Sequence, residues 1–404
     1  MAVKLGNGNW AVKEDKLLAY NDNSGRFFNK EFDFARGSIA TYVAKDGLIK
    51  SAASDVPRID FSDSTNGALL LEPQRSNLIP YSQDFSNASW GYQNVTVNSN
   101  QIIAPDGTLT ADKITDNSTN SAHRITDGNT TSSSGSFTYS IFLKKGTLTT
   151  AQIQVFNSGT ASSANVDLVN GTITSDGQGV NHTIQDYGND WFKCSISGTL
   201  SNTATTVYLY LKQKPSYIGN GDYLYAWGAQ LEEGSYATSY IPTSGSATTR
   251  LADVCNNSGS AQDFNSEEGV LYAEISALAD ADNYRIISLN AGNSLASIFI
   301  GLRNNTGNVY MYMPTDDTSY ISNVNATNNF TKIALKYKTN DVSFFINGTK
   351  VFTDNTVTLP TGLNQLDFSY GNSSNSYPFR GKVKCLAVFT TALTDEQLAA
   401  LTTI

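Results

Sequence analysis

Beyond residue 78 the chain reads as short runs in which apolar and polar residues alternate, with turn residues between them and no sustained helical period. The alternation places strands at 95–97, 136–144, 151–156, 165–168, 191–197, 206–212 and 223–231. Asp106-Gly107, Asn170-Gly171 and Gly219-Asn220-Gly221 supply turns between them. Strands at that spacing predict a sandwich or jelly roll over 78–250. After the small-residue stretch 244–250 the style repeats, with strands at 269–275, 285–289, 297–302, 309–313, 331–337, 342–346, 350–353, 365–370 and 382–389. Asn347-Gly348 between two of these runs predicts a hairpin with a type I′ turn. Thr394-Asp395-Glu396-Gln397 matches a capping box, and Leu398 with Leu401 give the helix that follows its apolar stripe. It is the one helix the sequence predicts.

The first 77 residues are different. Trp10-Ala11-Val12 and Leu17-Leu18-Ala19-Tyr20 are isolated strand-like pieces, and residues 21–25 read as a turn. Phe32 and Phe34 alternate with Asp33; Ile39, Thr41 and Val43 alternate up to a Lys45-Asp46-Gly47 turn, after which Leu48-Ile49 resumes. A hairpin of this size is marginal alone, so the segment is expected to lean on another chain or on the next domain. It ends in an apolar run, Ala68-Leu69-Leu70-Leu71, followed by Glu72-Pro73-Gln74-Arg75 and Ile79-Pro80-Tyr81, which reads as a latch onto a folded module. The expected class is therefore all-β: a short extended anchor at 1–77, two β-sandwich (jelly-roll) domains at 78–250 and 251–404, and one short C-terminal helix.

Composition narrows the function. With 404 residues, two or three domains are expected. Charged residues make up only 16%, and Asn, Ser, Thr and Gly fill the shortfall, which suits exposed turns between strands. The net charge of −9 and the absence of Lys/Arg clusters argue against nucleic acid as a partner. No run of 18 apolar residues occurs and the N-terminus opens no apolar segment, so neither membrane insertion nor a secretory signal is expected. Cys194, Cys255 and Cys385 form neither a disulfide framework nor a zinc spacing. Cys194 and Cys385 alternate with apolar residues and read as core thiols of a protein made in a reducing cytoplasm.

Candidate chemistry is sparse. Glycoside hydrolysis needs two carboxylates held about 5–10 Å apart. Glu232-Glu233 point to opposite faces of a strand and read as solubilising charges, Glu267-Glu268 precede a strand, and Glu274 stands alone. His123 and His182 lie in polar, loop-like settings and support neither a Ser/His/Asp set nor a histidine metal site. No cofactor is expected; structural calcium has candidates in Asp280, Asp282, Asn283, Asp316 and Asp317, which also read as ordinary polar loops. Aromatic faces can stack on sugar rings, which singles out Trp90, Tyr92 and Trp191 in the middle block, with Trp227 read as core. In the last block Tyr310, Tyr312 and Tyr320 cluster around Met311 and Met313 and could line a groove or a subunit contact.

Local patterns carry a family resemblance. Phe32-Asp33-Phe34-Ala35-Arg36-Gly37-Ser38, then Val56-Pro57-Arg58-Ile59-Asp60, then Leu69-Leu70-Leu71-Glu72-Pro73-Gln74-Arg75-Ser76-Asn77-Leu78 resemble the N-terminal signature of bacteriophage tail-fibre and head-fibre proteins. The block from Tyr81-Ser82-Gln83-Asp84-Phe85 to Trp227-Gly228-Ala229-Gln230-Leu231-Glu232, with its exit to Thr249-Arg250-Leu251-Ala252-Asp253, is similar to carbohydrate-binding-module-like jelly rolls of those proteins. The last block, through Phe345-Ile346-Asn347-Gly348 and Phe379-Arg380-Gly381-Lys382, resembles concanavalin A-like, laminin-G-type lectin sandwiches. The resemblance implies a non-enzymatic structural protein on the virion surface, assembled in the host cytoplasm and commonly homotrimeric. It implies docking to other virion proteins through residues 1–77 and β-modules displayed toward host surface polysaccharide. The alternative is a polysaccharide-degrading enzyme, a glycoside hydrolase carried on the virion or secreted.

Overall fold

The computed structural model describes residues 3–6, 10–13, 16–21, 26–130, 134–157, 159–176, 180–201, 204–213, 216–278, 283–304, 306–371 and 376–404. Residues 22–25 of the expected turn at 21–25 and the candidate ligands Asp280 and Asp282 lie outside them, and Asn21 closes the strand Lys16–Asn21. The chain divides into two compact units: a flanking unit made of 1–39, 52–73 and 251–404, and a middle unit made of 40–51 and 74–250.

The middle unit is built on two six-stranded sheets. The first runs Gly91–Gln93, Arg124–Thr130, Ala204–Tyr210, Thr150–Asn157, Thr160–Asp167, Thr172–Ser175. The second runs Val95–Ile102, Ala111–Asp116, Tyr223–Glu233, Gly135–Lys145, Trp191–Leu200, Asn181–Asp186. Alternate residues of both meet in one core: Ile125, Ile153, Val207 and Leu209 from the first, Ile114, Tyr139, Ile141, Cys194 and Leu224 from the second. The second sheet also buries its other face, where Phe142, Trp191, Trp227 and Tyr240 pack with Val43 and Ile49. Those last two come from the expected Lys45-Asp46-Gly47 hairpin, Ala40–Val43 paired with Ile49–Ala52, whose Thr41 Oγ1 donates to the Tyr240 carbonyl at 2.5 Å. Ala111–Asp116, Arg124–Thr130 and Asn181–Asp186 were not foreseen. Their outward positions hold Lys, Thr, Asp and Gln, so few apolar residues mark the period.

The flanking unit faces a five-stranded sheet (Thr318–Asn325, Asn308–Met313, Ser297–Leu302, Arg285–Asn290, Gln365–Asp367) against a larger one. The larger sheet contains Glu268–Ala277, Thr331–Lys338, Val342–Ile346 and Thr349–Asp354, with Gly381–Phe389 on the other side of Glu268–Ala277. Ile287, Ile298, Ile300, Met311, Leu271, Ile333, Leu335, Phe344 and Leu386 share the core between them. Asn347 and Gly348 take φ of 48° and 82°, the double positive of the expected type I′ turn. The helix Asp395–Thr402 starts at Thr394 with both capping-box hydrogen bonds in place and buries Leu398 against Val270, Tyr272, Ala334 and Phe345.

The first 77 residues do not form a separate segment. Val3–Gly6 pairs with Gly381–Phe389 from Gly6 opposite Cys385 to Val3 opposite Val388. Ala68–Leu71 continues along the same strand, Leu69 opposite Val383 and Leu71 opposite Gly381, with all four residues buried. The latch is a strand of the larger sheet, and the core missing from 1–77 is supplied by 251–404 for residues 1–39 and 52–73 and by the middle unit for 40–51.

The signature residues converge. Arg36, Arg58, Glu72 and Asp253 are each at most 2% exposed. Arg58 donates to Glu72 Oε2 at 2.7 Å and to Asp253 Oδ2 at 2.6 Å, and Arg36 donates to Asp253 Oδ1 at 3.1 Å. Remaining guanidinium hydrogens of Arg36 go to the carbonyls of Ser38, Ala53 and Val56 at 2.6–3.0 Å. Burial alone would lower the Arg58 pKa, but Asp253 and Glu72 outweigh it and hold it above its ordinary value. Within the middle unit, buried Asn77 donates to the Ala229 and Ile241 carbonyls and accepts from Ile79 and Leu231 N–H, so all four of its hydrogen-bonding positions are used. The spacing that reads as a family signature is thus a set of buried polar clamps joining distant segments.

Candidate functional site

Of the five aromatic residues singled out for ligand contact, two are core. Trp90 is 2% exposed, lies 4.9 Å from the Phe85 ring, and donates its Nε1–H to the Tyr81 carbonyl at 3.0 Å. Trp191 is 3% exposed with its Nε1–H on the Ile103 carbonyl at 3.1 Å. Neither presents a ring face to a sugar. Trp227 is core, as expected. Tyr92 is exposed, but its hydroxyl is held by the Phe85 and Asn87 carbonyls, both at 2.9 Å.

Tyr310 and Tyr312 are brought together. In Asn308–Met313, Val309, Met311 and Met313 turn into the core, so Tyr310 and Tyr312 stand half-buried on the outward face of the five-stranded sheet, 6.2 Å apart. Tyr320 does not join them: it pairs with Met311 and packs inward against Phe344 and Phe352. The ridge is completed by residues the sequence did not mark. Tyr284 lies 5.6 Å from both Tyr310 and Tyr377, Tyr377 lies 5.6 Å from Tyr370, and Phe299 lies 4.5 Å from Tyr370. Tyr284 and Tyr377 sit alone in Asn- and Ser-rich stretches, and only the register places them beside the strand tyrosines.

Beside this ridge opens a cleft of about 450 Å³ lined by Pro73, Asn283, Tyr284, Arg285, Tyr377 and Arg380, among others. Tyr377 is 42% exposed and adopts φ of 49°, a left-handed conformation costly for an aromatic residue. Its carbonyl accepts from Ile286 N–H at 3.1 Å, which ties the strained residue to the sheet. Burial raises the Tyr310 and Tyr370 hydroxyls above the ordinary range, and burial with the Asp317 carboxylate does the same for Tyr312. These phenols stay protonated and serve as hydrogen-bond donors. Arg285 and Arg380 are positioned by the Leu278 and Asp253 carbonyls, which accept from their Nη1 groups. The ensemble gathers an exposed tyrosine ring, phenol hydroxyls and two arginines around one opening.

The acidic candidates are committed elsewhere. Glu232 is buried, not solubilising as expected: its carboxylate accepts from Gln230, from Thr238 N–H and from the Thr238 hydroxyl at 2.6–2.9 Å, while Glu233 is exposed. Glu268 pairs with Lys338 at 3.1 Å and Glu274 with Lys384 at 3.8 Å. His123 is buried rather than solvated, with Nε2 on the Asn117 carbonyl at 2.9 Å and its ring 4.4 Å from Tyr217. Asp317 holds Tyr312 at 3.0 Å and Asp316 accepts from Thr318 at 3.4 Å. Among the described residues no cluster of three or more His, Cys, Asp or Glu could hold a metal ion, and no helix is long and apolar enough to cross a membrane. The three cysteines are free and buried, and burial pushes the Cys385 thiol up to about 12.

Residues 260–399 match the model of the concanavalin A-like lectin/glucanases superfamily. No curated protein matches the chain. Among solved structures, Ruminococcus gnavus IT-sialidase CBM40 is 19% identical, with 36% of this chain and 93% of that one covered at a TM-score of 0.30. Mouse laminin alpha1 chain domains LG4-5 are 10% identical, covering 69% of this chain and 90% of that one at 0.23. Trypanosoma rangeli sialidase in complex with the inhibitor DANA is 10% identical, covering 96% of this chain and 65% of that one at 0.30. Residues 260–399 form a concanavalin A-like lectin/glucanase-type domain, and among the described residues the chain is all-β but for a short 3-10 turn at Pro314–Asp316 and the terminal helix.

Proposed function

We propose that this protein is a non-catalytic, glycan-binding component of a bacteriophage particle, and that it holds host surface polysaccharide at the tyrosine-lined cleft. The single observation that carries the glycan part is the ridge of Tyr284, Tyr310, Tyr370 and Tyr377 beside that cleft, with the Tyr377 ring exposed on a strained backbone. Exposed rings stack on the apolar faces of sugars, and phenol and guanidinium hydrogens meet their hydroxyls. The virion part is supported by the resemblance of the 32–78 signature to tail-fibre and head-fibre proteins. Docking on a particle and assembly as a homotrimer belong to the same proposal. They rest on that resemblance and not on any shortage of core in residues 1–77, because the flanking unit provides one.

The test is a screen of the full chain on arrayed host polysaccharides, repeated with Tyr377→Ala. Loss of one aromatic contact of about 0.5–1.5 kcal/mol lowers affinity roughly 2–12-fold with the fold unchanged. Binding unchanged in the variant removes the cleft from the proposal, and release of reducing ends from the polysaccharide would replace it with a hydrolase. Light scattering of the full chain tests assembly; a monomer mass overturns the trimer.

A further inference from the structure

The core-averted face of the first sheet in the middle unit carries a second ordered constellation, distant in sequence from the tyrosine cleft. Register sets it in rows across the strands. Arg124 is opposite Tyr210, Tyr210 is opposite Gln152, and Gln152 is opposite Asn165. In the next row Thr126, Tyr208, Gln154 and Ser163 follow one another in the same way. Their neighbours Ile125, Leu209, Ile153 and Ala164 turn into the core.

Two groups here are unsatisfied. The Arg124 guanidinium lies 4.7 Å over the Tyr208 ring and 5.4 Å from that of Tyr210, and gives one Nη1 hydrogen to the Tyr210 hydroxyl at 2.6 Å. Among the described residues no carboxylate pairs with it, and its buried Nε has no acceptor. Gln152 is fully buried; its Nε2 donates to Asn165 at 3.0 Å and Asp176 at 2.8 Å, and its Oε1 has no partner. Acidic residues outnumber basic ones 36 to 27 in this chain, so a half-buried arginine without a carboxylate is not for want of one. A partly desolvated cation that stacks on tyrosine and lacks a counter-charge is a standing receptor for a planar anion.

We propose that this face is a second saccharide site and that it takes a saccharide bearing a carboxylate. The carboxylate pairs with Arg124, the sugar ring lies against Tyr208, and the half-buried Asn165 and Thr126 meet the sugar hydroxyls above the buried Gln152. Amides and hydroxyls flanking stacked tyrosines match a polyhydroxylated acid, which sets the ligand class. The inference rests on the glycan-binding reading of the chain, and adds to it a charge preference located in the other unit.

The experiment titrates the full chain by calorimetry with oligogalacturonate and with the same oligosaccharide after carboxyl reduction. The acidic form is expected to bind at least tenfold more tightly, with an advantage that shrinks as salt rises. Arg124→Gln is expected to abolish the advantage and leave binding of the reduced form intact, while Arg124→Lys retains part of it. Tyr208→Leu, which keeps the strand packed, weakens the acidic ligand without touching Arg124. An advantage that survives Arg124→Gln in a variant of unchanged melting temperature overturns the inference, as does equal binding of the two forms. If neither form binds the wild-type chain, or only the reduced form does, this inference fails, while the glycan-binding reading stands or falls on the polysaccharide screen with Tyr377→Ala.

Discussion

At the scale of single residues, exposure separates aromatic rings that build the fold from those that can meet a ligand. Trp90 and Tyr377 make the contrast. Trp90→Ala is expected to destabilise the middle unit by about 3–5 kcal/mol, the range for deleting a buried large aromatic side chain. A denaturant series checks this, and a change below about 1 kcal/mol would contradict the burial of the ring. A second residue-scale prediction concerns Asp112, which is buried and accepts from Phe85 N–H and Asn100 N–H, both at 2.9 Å. Burial pushes its carboxyl up to about 6, against the pull of those two hydrogen bonds and with a push from Asp84. Because the folded value lies above the model-peptide value, the native state holds a proton that the unfolded chain releases first. The stability it contributes is full below the unfolded value of 3.8 and is lost as pH rises through about 6. A carbon-detected NMR titration should place the Asp112 midpoint near 6; a midpoint at or below 4 refutes the assignment.

At the scale of elements, Gly381–Phe389 is the strand on which the flanking unit turns. It pairs with Glu268–Ala277 on one side, and with Val3–Gly6 and Ala68–Leu71 end to end on the other. A fragment of 251–404 alone would expose that second edge and leave Asp253 buried without Arg36 and Arg58. It is expected to lack a cooperative thermal transition, read by circular dichroism, whereas a fragment that folded by itself would contradict the strand order. In the full chain, Asp253→Asn leaves two buried guanidiniums short of their shared carboxylate and is expected to cost about 3–5 kcal/mol. Hydrogen exchange should then quicken at Gly381–Phe389 amides, and unaltered exchange there would rule the clamp out as a support of that strand.

At the scale of the whole molecule, the all-β class, the N-G hairpin and the capped terminal helix were legible from the sequence, because each depends on local periodicity or a local turn rule. The assignment of 1–77 to an independent anchor was not a local matter. Pairing between Leu69 and Val383 spans most of the chain, and no periodicity reports such a partner. The signature Arg36, Arg58, Glu72 and Asp253 hinted at it: charged residues embedded in apolar runs must find counter-charges, and those lay in remote segments. The candidate site was half legible for the same reason. Tyr310 and Tyr312 advertise themselves by alternation, while Tyr284, Tyr370 and Tyr377 join them only through the fold.

The flanking unit's three-part make-up bears on how the protein is born. A ribosome emits the middle unit complete by residue 250, while the strand that unites the flanking unit follows it by more than a hundred residues, at Gly381–Phe389. Until then Val3–Gly6 and Ala68–Leu71 wait with unpaired backbone edges, the kind of surface that invites strand exchange with a neighbouring nascent chain. Chains arrested shortly before residue 381 should therefore show a protease-resistant middle unit and digestible flanking segments, with resistance spreading to the flanking segments only in chains arrested well beyond residue 404 or released. Equal resistance before and after Gly381–Phe389 emerges would show that the flanking unit matures by another order of events. For polysomes carrying many copies, late closure is also a window in which two chains can trade the same strand.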